Sequence, residues 1–269
     1  MGPQALELVS RLAQTGMHVV SIDDAAAFTK DRQLARHLLS MAARKGLLKR
    51  LQHGTYLIVP LEAGPDRQWS EYSFVIANSL ANPAVISYLS AIRQWNWTEQ
   101  LPKTVFIQTT QRKAKTRPVI LGVHYQIVRV SPSILFGFHD QRVDNQTFKV
   151  SDKEKTLLDS ADRPDLSGGI PTLVQALEEA VKEIDWKLLD KYLKRFPRGA
   201  AKKRLLFLIE RIAADNSQVH QLLERWQKNL TTGIARLDPS LPARGPIVTR
   251  WRVRLNVSGF ENLNEFKPS

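Results

Sequence analysis

The residues best suited to chemistry in this chain are basic and amide side chains placed at helical spacing near the amino terminus. Residues 32–45 predict an amphipathic helix. Arginine pairs bidentately with guanine O6 and N7, and glutamine with adenine N6 and N7, in the major groove of B-DNA. On the predicted outward face, the side chains suited to reading bases in this way are Gln33, Arg36, His37 and Ser40.

Other basic residues around this helix are suited to phosphate or minor-groove contacts, which position a protein on DNA without reading its sequence. Residues 30–53 contain seven Lys or Arg and a single acid, Asp31. This local excess of positive charge falls on the elements that would face a polyanion. The candidate contacts of this second kind are Lys30, Arg44, Lys49, Arg50 and His53. Arg32, on the outward helix face, is a further candidate DNA-binding residue.

The elements that must position these side chains form a recognisable order. Residues 4–15 predict a first helix, and a second helix, capped by Ser21 or Asp23, is predicted to run through Phe28. The third helix, over residues 32–45, has a stripe of apolar side chains that is predicted to face inward. Two β-favouring runs around Gly54 then predict a hairpin. Three helices followed by a hairpin predict a winged helix-turn-helix. The inward stripe of the third helix is predicted to be Leu34, Leu38, Met41 and Ala42.

The rest of the chain predicts a larger mixed domain, so the fold class is α+β. A Pro- and Gly-containing linker at 61–68 separates a winged-helix domain, 1–62, from a C-terminal domain, 69–269. In the second domain, helices are predicted from Trp69 to Leu80 and from Pro83 to about Trp95. Strand-like runs at 105–110, 118–130 and 146–150 predict a small, mostly antiparallel sheet, and 152–229 is helical in period.

Composition excludes several classes of protein. The 269 residues include no cysteine, which excludes disulfides, thiolate nucleophiles and cysteine-based zinc or iron–sulfur sites. The apolar stretch 72–92 is interrupted by Asn78, Asn82 and Pro83, and no signal peptide precedes it, so a cytoplasmic protein with no membrane contact is expected. The formal net charge of +13 favours polyanionic partners, although a basic surface can also serve solubility alone.

Two further basic segments could bind nucleic acid or an acidic protein, or could simply be solvated. Residues 103–130 carry six basic groups and no acid, with the loop 111–117 at their centre. Residues 187–204 carry eight basic groups against Asp190 and are read as a helix. A later strand places basic residues alternately at positions 250, 252 and 254.

Enzymatic signatures are weak, so neither a catalytic residue, a metal ligand nor a cofactor is predicted. The six histidines are scattered, and the chain contains no phosphate loop, dinucleotide fingerprint or nucleophile elbow. A nuclease interpretation could use Asp165 with Asp185 and Lys187, but that chemistry requires these side chains on a strand, and 182–195 has a helical period.

Several stretches give the chain a resemblance to a known family. A predicted winged helix ends in HGTYLIVP and is followed by YLSAI, LPKTVFIQTT, DKEKTLLD, DRPDLSGGI and AKKRLLFLIE. This pattern, over roughly residues 20–215, resembles the AbiEi antitoxins of AbiE type IV toxin–antitoxin and abortive-infection systems. Asp152, Glu154, Lys155 and Asp159 match the more specific motif, but the same residues predict a capped helix start with Leu157 and Leu158 in the core.

The resemblance implies a transcriptional autorepressor that binds inverted repeats in double-stranded promoter DNA. It also implies a C-terminal domain that counters a nucleotidyltransferase-like toxin, usually without a stable complex. Inverted repeats call for two copies of the winged helix, as a dimer or as cooperating monomers. The alternative left open by the residues is a basic interaction protein whose C-terminal domain binds a toxin or RNA directly, with DNA binding secondary.

Overall fold

The computed structural model of the chain describes residues 3–59, 73–100, 102–143, 145–213 and 217–260. The fold class is α+β, as the sequence predicts, and antiparallel strand pairs outnumber parallel ones among the described pairs. The predicted linker at 61–68 lies outside the described residues. The chain divides into two compact units: unit 1 comprises 1–86, 103–130 and 139–150, and unit 2 comprises 87–102, 131–138 and 151–269.

Unit 1 begins with three helices and a three-stranded antiparallel sheet, in the positions that the hydrophobic period and the turn residues predict. The strand order is β1-β3-β2, so the hairpin β2–β3 is extended by a short strand that sequence reasoning missed. The elements are α1 (Pro3–Gln14), β1 (Val19–Ser21), α2 (Ile22–Thr29), α3 (Arg32–Arg44), β2 (Leu48–Gln52) and β3 (Thr55–Ile58).

Glycine conformation and core packing explain where these elements end. Gly46 follows α3 at φ +76°, and Gly54 turns the hairpin at φ +75°, a region that residues with a Cβ rarely adopt. One apolar core joins the three helices to the hairpin. The buried side chains of this core include Leu8, Leu12, Val20, Ala25, Leu38, Leu39, Leu48 and Tyr56.

The second part of unit 1 is built on a six-stranded sheet of order β6-β7-β5-β4-β9-β8. The pairs β5–β7 and β4–β9 are parallel, whereas β4–β5 and β6–β7 are antiparallel. The sheet is therefore mixed. Its elements are α4 (Ser73–Leu80), β4 (Val85–Ile86), β5 (Thr104–Thr109), β6 (Val119–Ile120), β7 (Val123–Arg129), β8 (Phe138–Val143) and β9 (Gln146–Ser151).

The prediction of a helix starting at Pro83 is wrong for its first residues. Val85 and Ile86 form a strand between β5 and β9, with Val85 opposite Gln108 on one side and Lys149 on the other. A short apolar run buried on both faces carries no helical or strand period, so the sequence alone does not separate the two structures. The helix itself begins only at Leu89.

Side chains of β9 and the residue before it close the free edge of β1. Gln146 Oε1 accepts hydrogen bonds from the backbone N–H groups of His18 (2.6 Å) and Val19 (3.0 Å), and Gln146 Nε2 donates to the carbonyl of Val19 (3.0 Å). Asn145 Nδ2 donates to the carbonyl of Thr15 (2.8 Å). We call Asn145 and Gln146 the amide clamp. It satisfies backbone groups of an edge strand that another chain could otherwise pair with.

Unit 2 is mainly helical and carries a small three-stranded sheet of order β10-β12-β11. The predicted helical stretch 152–229 is a succession of helices. The elements are α5 (Leu89–Gln94), α6 (Lys153–Asp162), a 3₁₀ turn (Pro164–Leu166), α7 (Gly169–Ala180), α8 (Trp186–Arg195), α9 (Gly199–Ile212), α10 (Ser217–Gln227), β10 (Ala235–Arg236), β11 (Ile247–Val248) and β12 (Val253–Arg254).

The DKEKTLLD motif starts α6 as a capped helix. The Asp152 carboxylate accepts the backbone N–H of Lys155 (2.8 Å) and the hydroxyl of Tyr192 (2.6 Å), while Leu157 and Leu158 are fully buried. Glu154 is buried too and accepts the N–H of Asp185 (2.7 Å). Burial raises the pKa of Glu154, and the hydrogen bond from Asp185 opposes that shift.

The same motif contains a fully buried ion pair. Lys155 Nζ pairs with the Asp159 carboxylate one turn later, and both side chains are 1% exposed. The ammonium lies 5.1 Å from the ring centroid of Phe136 and 5.5 Å from that of Phe196. A charge held in an apolar surrounding of this kind depends on its partner.

We expect Lys155→Met to destabilise the protein by about 3–5 kcal/mol, because it leaves the Asp159 carboxylate buried without its cation. The free energy of unfolding from urea titration measures this. Lys153→Met, which removes a partly exposed partner of Glu183 from the same helix, should cost less than about 1 kcal/mol. The double variant Lys155→Met/Asp159→Leu should recover most of the unfolding free energy that Lys155→Met loses. Equal losses for Lys155→Met and Lys153→Met would contradict the argument.

Candidate nucleic-acid interface

Side-chain caps fix the amino-terminal ends of both α2 and α3. Ser21, one of the two predicted caps, forms a reciprocal capping box with Asp24: the N–H of Asp24 donates to Ser21 Oγ (3.1 Å) and the N–H of Ser21 to Asp24 Oδ2 (2.7 Å). Asp31 caps α3 by accepting the N–H groups of Gln33 (2.7 Å) and Leu34 (3.1 Å). The one acid among residues 30–53 is thus committed to the helix terminus.

The predicted reading face of α3 points to solvent. Gln33, Arg36 and His37 are exposed, and Ser40 is half-buried. Together with Arg32, these side chains line an open depression of about 530 Å³. The side of α3 that packs into the core is formed by Ala35, Leu38, Leu39 and Ala42. The structure therefore brings the five outward residues together on one surface.

The predicted inward stripe of α3 is partly wrong. Leu38 and Ala42 are buried as expected and Met41 is half-buried, but Leu34 is 39% exposed. The packed stripe is centred about one residue later along the chain than predicted, because small Ala35 rather than Leu34 meets the core. Leu34 instead borders a shallow groove of about 160 Å³ with Phe28.

One predicted contact residue already has an acidic partner. The Arg32 guanidinium pairs with the Asp23 carboxylate at the start of α2, and both side chains are more than 60% exposed. Sequence reasoning considered Asp23 only as a cap and missed this role. An exposed ion pair of this kind contributes little to the free energy of unfolding. A polyanion would compete with the Asp23 carboxylate for the Arg32 guanidinium.

The remaining candidates lie around the hairpin and at the ends of α3. Lys30, in the α2–α3 turn, and Arg44, in the last turn of α3, are exposed. On the hairpin, exposed Arg50 Nη2 lies 3.1 Å from His53 Nδ1. Since an arginine only donates, His53 Nδ1 accepts in this arrangement. Lys49 is exposed beside them on β2.

The basic segment 187–204 is not one helix, contrary to the prediction. It is divided between α8 and α9 at residues 196–198. Lys203 and Arg204 are buried: Lys203 Nζ donates to the carbonyl of Gly233, and Arg204 donates to the carbonyls of Arg236 (2.6 Å) and Ala161 (2.8 Å). Burial lowers the pKa of both side chains. The basic surface here is smaller than the sequence suggests.

The alternating arginines near the carboxyl terminus also serve the fold of unit 2. Arg250 pairs with Glu210 (2.6 Å) and Glu224 (3.0 Å). Arg252 donates to the carbonyl of Thr231 (3.0 Å), and Arg254 to that of Gly245 (2.9 Å). Only Val253 and Arg254 of this segment form the strand β12, so the predicted strand is shorter than expected.

The carboxylates considered for a nuclease have structural partners. Asp165 accepts two hydrogen bonds from Arg163 (2.8 and 2.7 Å), which lower the pKa of Asp165. Asp185 caps α8 by accepting the N–H of Lys187 (2.8 Å), so Lys187 lies on a helix. Within the described ranges, no group of three or more His, Asp or Glu side chains is placed to hold a metal ion.

None of the helices in the described part of the chain has both the length and the apolar composition needed to cross a bilayer.

We expect Asp23→Asn to raise the salt concentration at which the protein elutes from heparin, because the substitution releases Arg32 to bind a polyanion. Glu7→Gln is the matched control: it breaks the exposed Glu7–Arg11 pair of α1 and changes the net charge equally. The Asp23 variant should elute later than the control. Co-elution of the two variants would show that overall charge, not Arg32, sets the retention.

Comparisons with known proteins define what the chain is similar to. No family model and no curated protein matches it. Among solved structures, it is similar to the crystal structure of the RV2827C protein from Mycobacterium tuberculosis, with a TM-score of 0.63 and 18% sequence identity. The match covers 94% of this chain and 91% of that one, so it shows that the two proteins share a fold over nearly their whole lengths.

Proposed function

We propose that the chain is a DNA-binding autorepressor whose α1–β3 part acts as a winged helix-turn-helix. The observation that carries this proposal is the α3 surface, where Gln33, Arg36 and His37 are exposed side by side on a helix whose opposite face is buried. A B-DNA major groove about 12 Å wide admits one α-helix. The arrangement fits insertion of α3 without any change in the packing of the core.

The polar side chains of this surface suit two kinds of DNA contact, one to base edges and one to phosphates. Arg36 suits guanine O6 and N7, and Gln33 suits adenine N6 and N7. Ser40, being half-buried, reaches less far and suits a supporting contact. The residues around this face suit phosphate oxygens and fix the register of α3 on the duplex; they are Lys30, Arg32, Arg44, Lys49, Arg50 and His53.

We further propose that the protein is the antitoxin of an AbiE-like type IV system, acting in the cytoplasm against a nucleotidyltransferase-like toxin. The sequence motifs that resemble AbiEi support this proposal. In the structure, Lys155 and Asp159 of the most specific motif are buried, and Asp152 caps α6. The antitoxin activity is therefore assigned to the surface of the C-terminal part and not to chemistry at these side chains, and the protein is proposed not to be an enzyme.

Gln33→Ala/Arg36→Ala should abolish the preference for promoter DNA over random DNA while leaving the unfolding free energy within about 1 kcal/mol, because both side chains are exposed. Removing one base contact reduces the discrimination between sequences by about 1–3 kcal/mol. Fluorescence anisotropy with promoter and random duplexes measures the ratio of affinities. Arg11→Ala/Gln14→Ala, on the exposed side of α1, is the control and should keep it. An unchanged ratio in the first variant would refute the assigned reading face.

Co-expression with the product of the adjacent open reading frame tests the antitoxin proposal. Growth arrest caused by that product should be relieved by the wild-type chain, and equally by Gln33→Ala/Arg36→Ala, because the reading face serves repression only. Absence of relief by the wild type would refute the antitoxin role. A stable complex in co-purification would instead favour the alternative, in which the C-terminal part binds a toxin or RNA directly.

A further inference from the structure

A cleft of about 310 Å³ lies within unit 1, between the α1–β3 part and the part built on the six-stranded sheet. Asp24 of α2 lines it from the α1–β3 part, and Asn78 of α4 and Thr147 of β9 line it from the sheet part. We call this space the polar cleft. Its volume is at the lower end of the range of small-molecule sites, roughly 300–1,000 Å³, so it is large enough for a ligand with a few carbon atoms.

The charge of the polar cleft is opposite to that of the protein as a whole. Among the described residues that line it, only Asp24 is charged, whereas the chain carries a formal net charge of +13. Arg142, which donates from Nη2 to Asn145 Oδ1 (3.0 Å), does not itself line the cleft. An anionic ligand would meet the Asp24 carboxylate with no cation beside it, so the cleft selects against anions.

The hydrogen-bonding groups that remain open in the polar cleft are mainly acceptors. In the capping box, the backbone N–H (2.7 Å) and the hydroxyl (2.6 Å) of Ser21 both donate to Asp24 Oδ2. Asn78 uses its amide nitrogen, since Nδ2 donates to the carbonyl of Thr147 (3.2 Å). Asp24 Oδ1 and Asn78 Oδ1 accept no hydrogen bond among the described contacts. A ligand that matches them must donate.

The amide clamp forms part of the wall of the polar cleft and is already bonded to the chain. Gln146 Oε1 accepts the N–H groups of His18 and Val19, and Gln146 Nε2 donates to the carbonyl of Val19. Asn145 Nδ2 donates to the carbonyl of Thr15. These contacts fix the wall before a ligand arrives, which reduces the entropy that binding costs. The polar partners left for a ligand are therefore Asp24 and Asn78.

The rest of the lining is largely apolar. Val75 is buried, and Met17 and Val19 are half-buried at the cleft. A methionine side chain is flexible and adapts to the shape of a neighbouring apolar group. One carboxylate and an amide oxygen beside this apolar surface suit a molecule with a positively charged end and a hydrocarbon stem.

We infer that the polar cleft is a binding site for a small aliphatic amine. Its ammonium group binds the oxygens of Asp24 and Asn78, and its methylene chain lies against Met17 and Val75. An ammonium has three donors and no acceptor, so it matches the open groups, and its bond to a carboxylate is charge-assisted. The inference goes beyond the proposed function and does not depend on DNA binding. Because the amine would contact both parts of unit 1, it would stabilise the folded arrangement that the amide clamp holds.

Calorimetric titration of the full chain, without DNA, tests the class of ligand. The probe is putrescine, a four-carbon diamine, and the comparison ligands are butanediol, which is neutral, and succinate, which is anionic. We expect one putrescine to bind per chain with a Kd on the order of 1 mM or below. The comparison ligands should bind at least about tenfold more weakly, because they lack the charge-assisted hydrogen bond.

Each of three results would overturn the inference. Putrescine that does not saturate the protein by about 10 mM would show that the polar cleft is not an amine site. Equal affinity for butanediol would remove the role of the ammonium, and tighter binding of succinate would reverse the selectivity. The net charge of +13 repels cations from the protein in general, so saturable binding of a diamine reports a specific site.

Asp24→Asn tests the carboxylate. The amide keeps an oxygen that can accept the N–H of Ser21, so α2 keeps its cap, and thermal unfolding checks that the variant folds. Its affinity for putrescine should fall by about tenfold or more, because the charge is lost. Asp23→Asn is the matched control: it makes the same change one residue earlier, at an exposed side chain that pairs with Arg32. Equal affinities of the two variants would contradict the assigned site.

Thr147→Lys tests the location from the opposite part of unit 1. Thr147 is exposed, so the substitution should leave the fold intact, and the added ammonium should repel putrescine from the polar cleft. Ser10→Lys, on the exposed side of α1, adds the same charge away from the cleft and should bind putrescine like the wild type. An affinity of Thr147→Lys equal to that of Ser10→Lys would place the amine elsewhere and overturn the inference.

Discussion

The burial of one side of α3 is the constraint on which the candidate interface depends. Ala35, Leu38, Leu39 and Ala42 are shielded from water in a core shared with α1, α2 and the hairpin. Burying apolar area contributes roughly 25 cal/mol per Å², so rotation of the helix about its axis would expose this stripe at a cost of several kcal/mol. Gln33 and Arg36 are held outward because the opposite face of α3 is buried in this core.

Positive charge in this protein serves two different purposes. In unit 2, Arg204 binds the carbonyl of Ala161 in the last turn of α6, and Arg252 binds the carbonyl of Thr231 in a loop. In unit 1, Arg36, Arg112, Lys115 and Arg117 are exposed. The net charge of +13 alone therefore overstates the surface that is free to attract a polyanion, and the burial and partners of each side chain decide which part can.

Local patterns determine much of the fold. Capping residues such as Ser21 and Asp152, glycines such as Gly54 and the period of 3.6 residues act over a few positions, so the helices, the hairpin and the outward face of α3 are predictable from the sequence. Leu34 is misassigned because Ala35 contributes too little hydrophobicity to shift the apparent stripe. Val85 and Ile86 are misassigned because a strand paired on both sides shows neither period.

Contacts between distant parts of the chain leave no such pattern. Gln146 lies 127 positions from Val19, and a glutamine that binds a strand edge looks like any polar residue of a β-rich run. Asp23 and Arg32 are closer in sequence, but whether their side chains meet depends on the angle between α2 and α3. Propensities and periods do not contain that information.

The amide clamp has a consequence for any attempt to shorten the chain to α1–β3. A fragment ending near residue 60 would keep all three helices and the hairpin but would be without Gln146, leaving the N–H and C=O groups of Val19 facing water at a bare sheet margin. Such a margin recruits strands from other molecules. A stand-alone module of these elements would need its own cover there; in this chain the amide of Gln146 supplies that protection from a remote stretch of the same polypeptide.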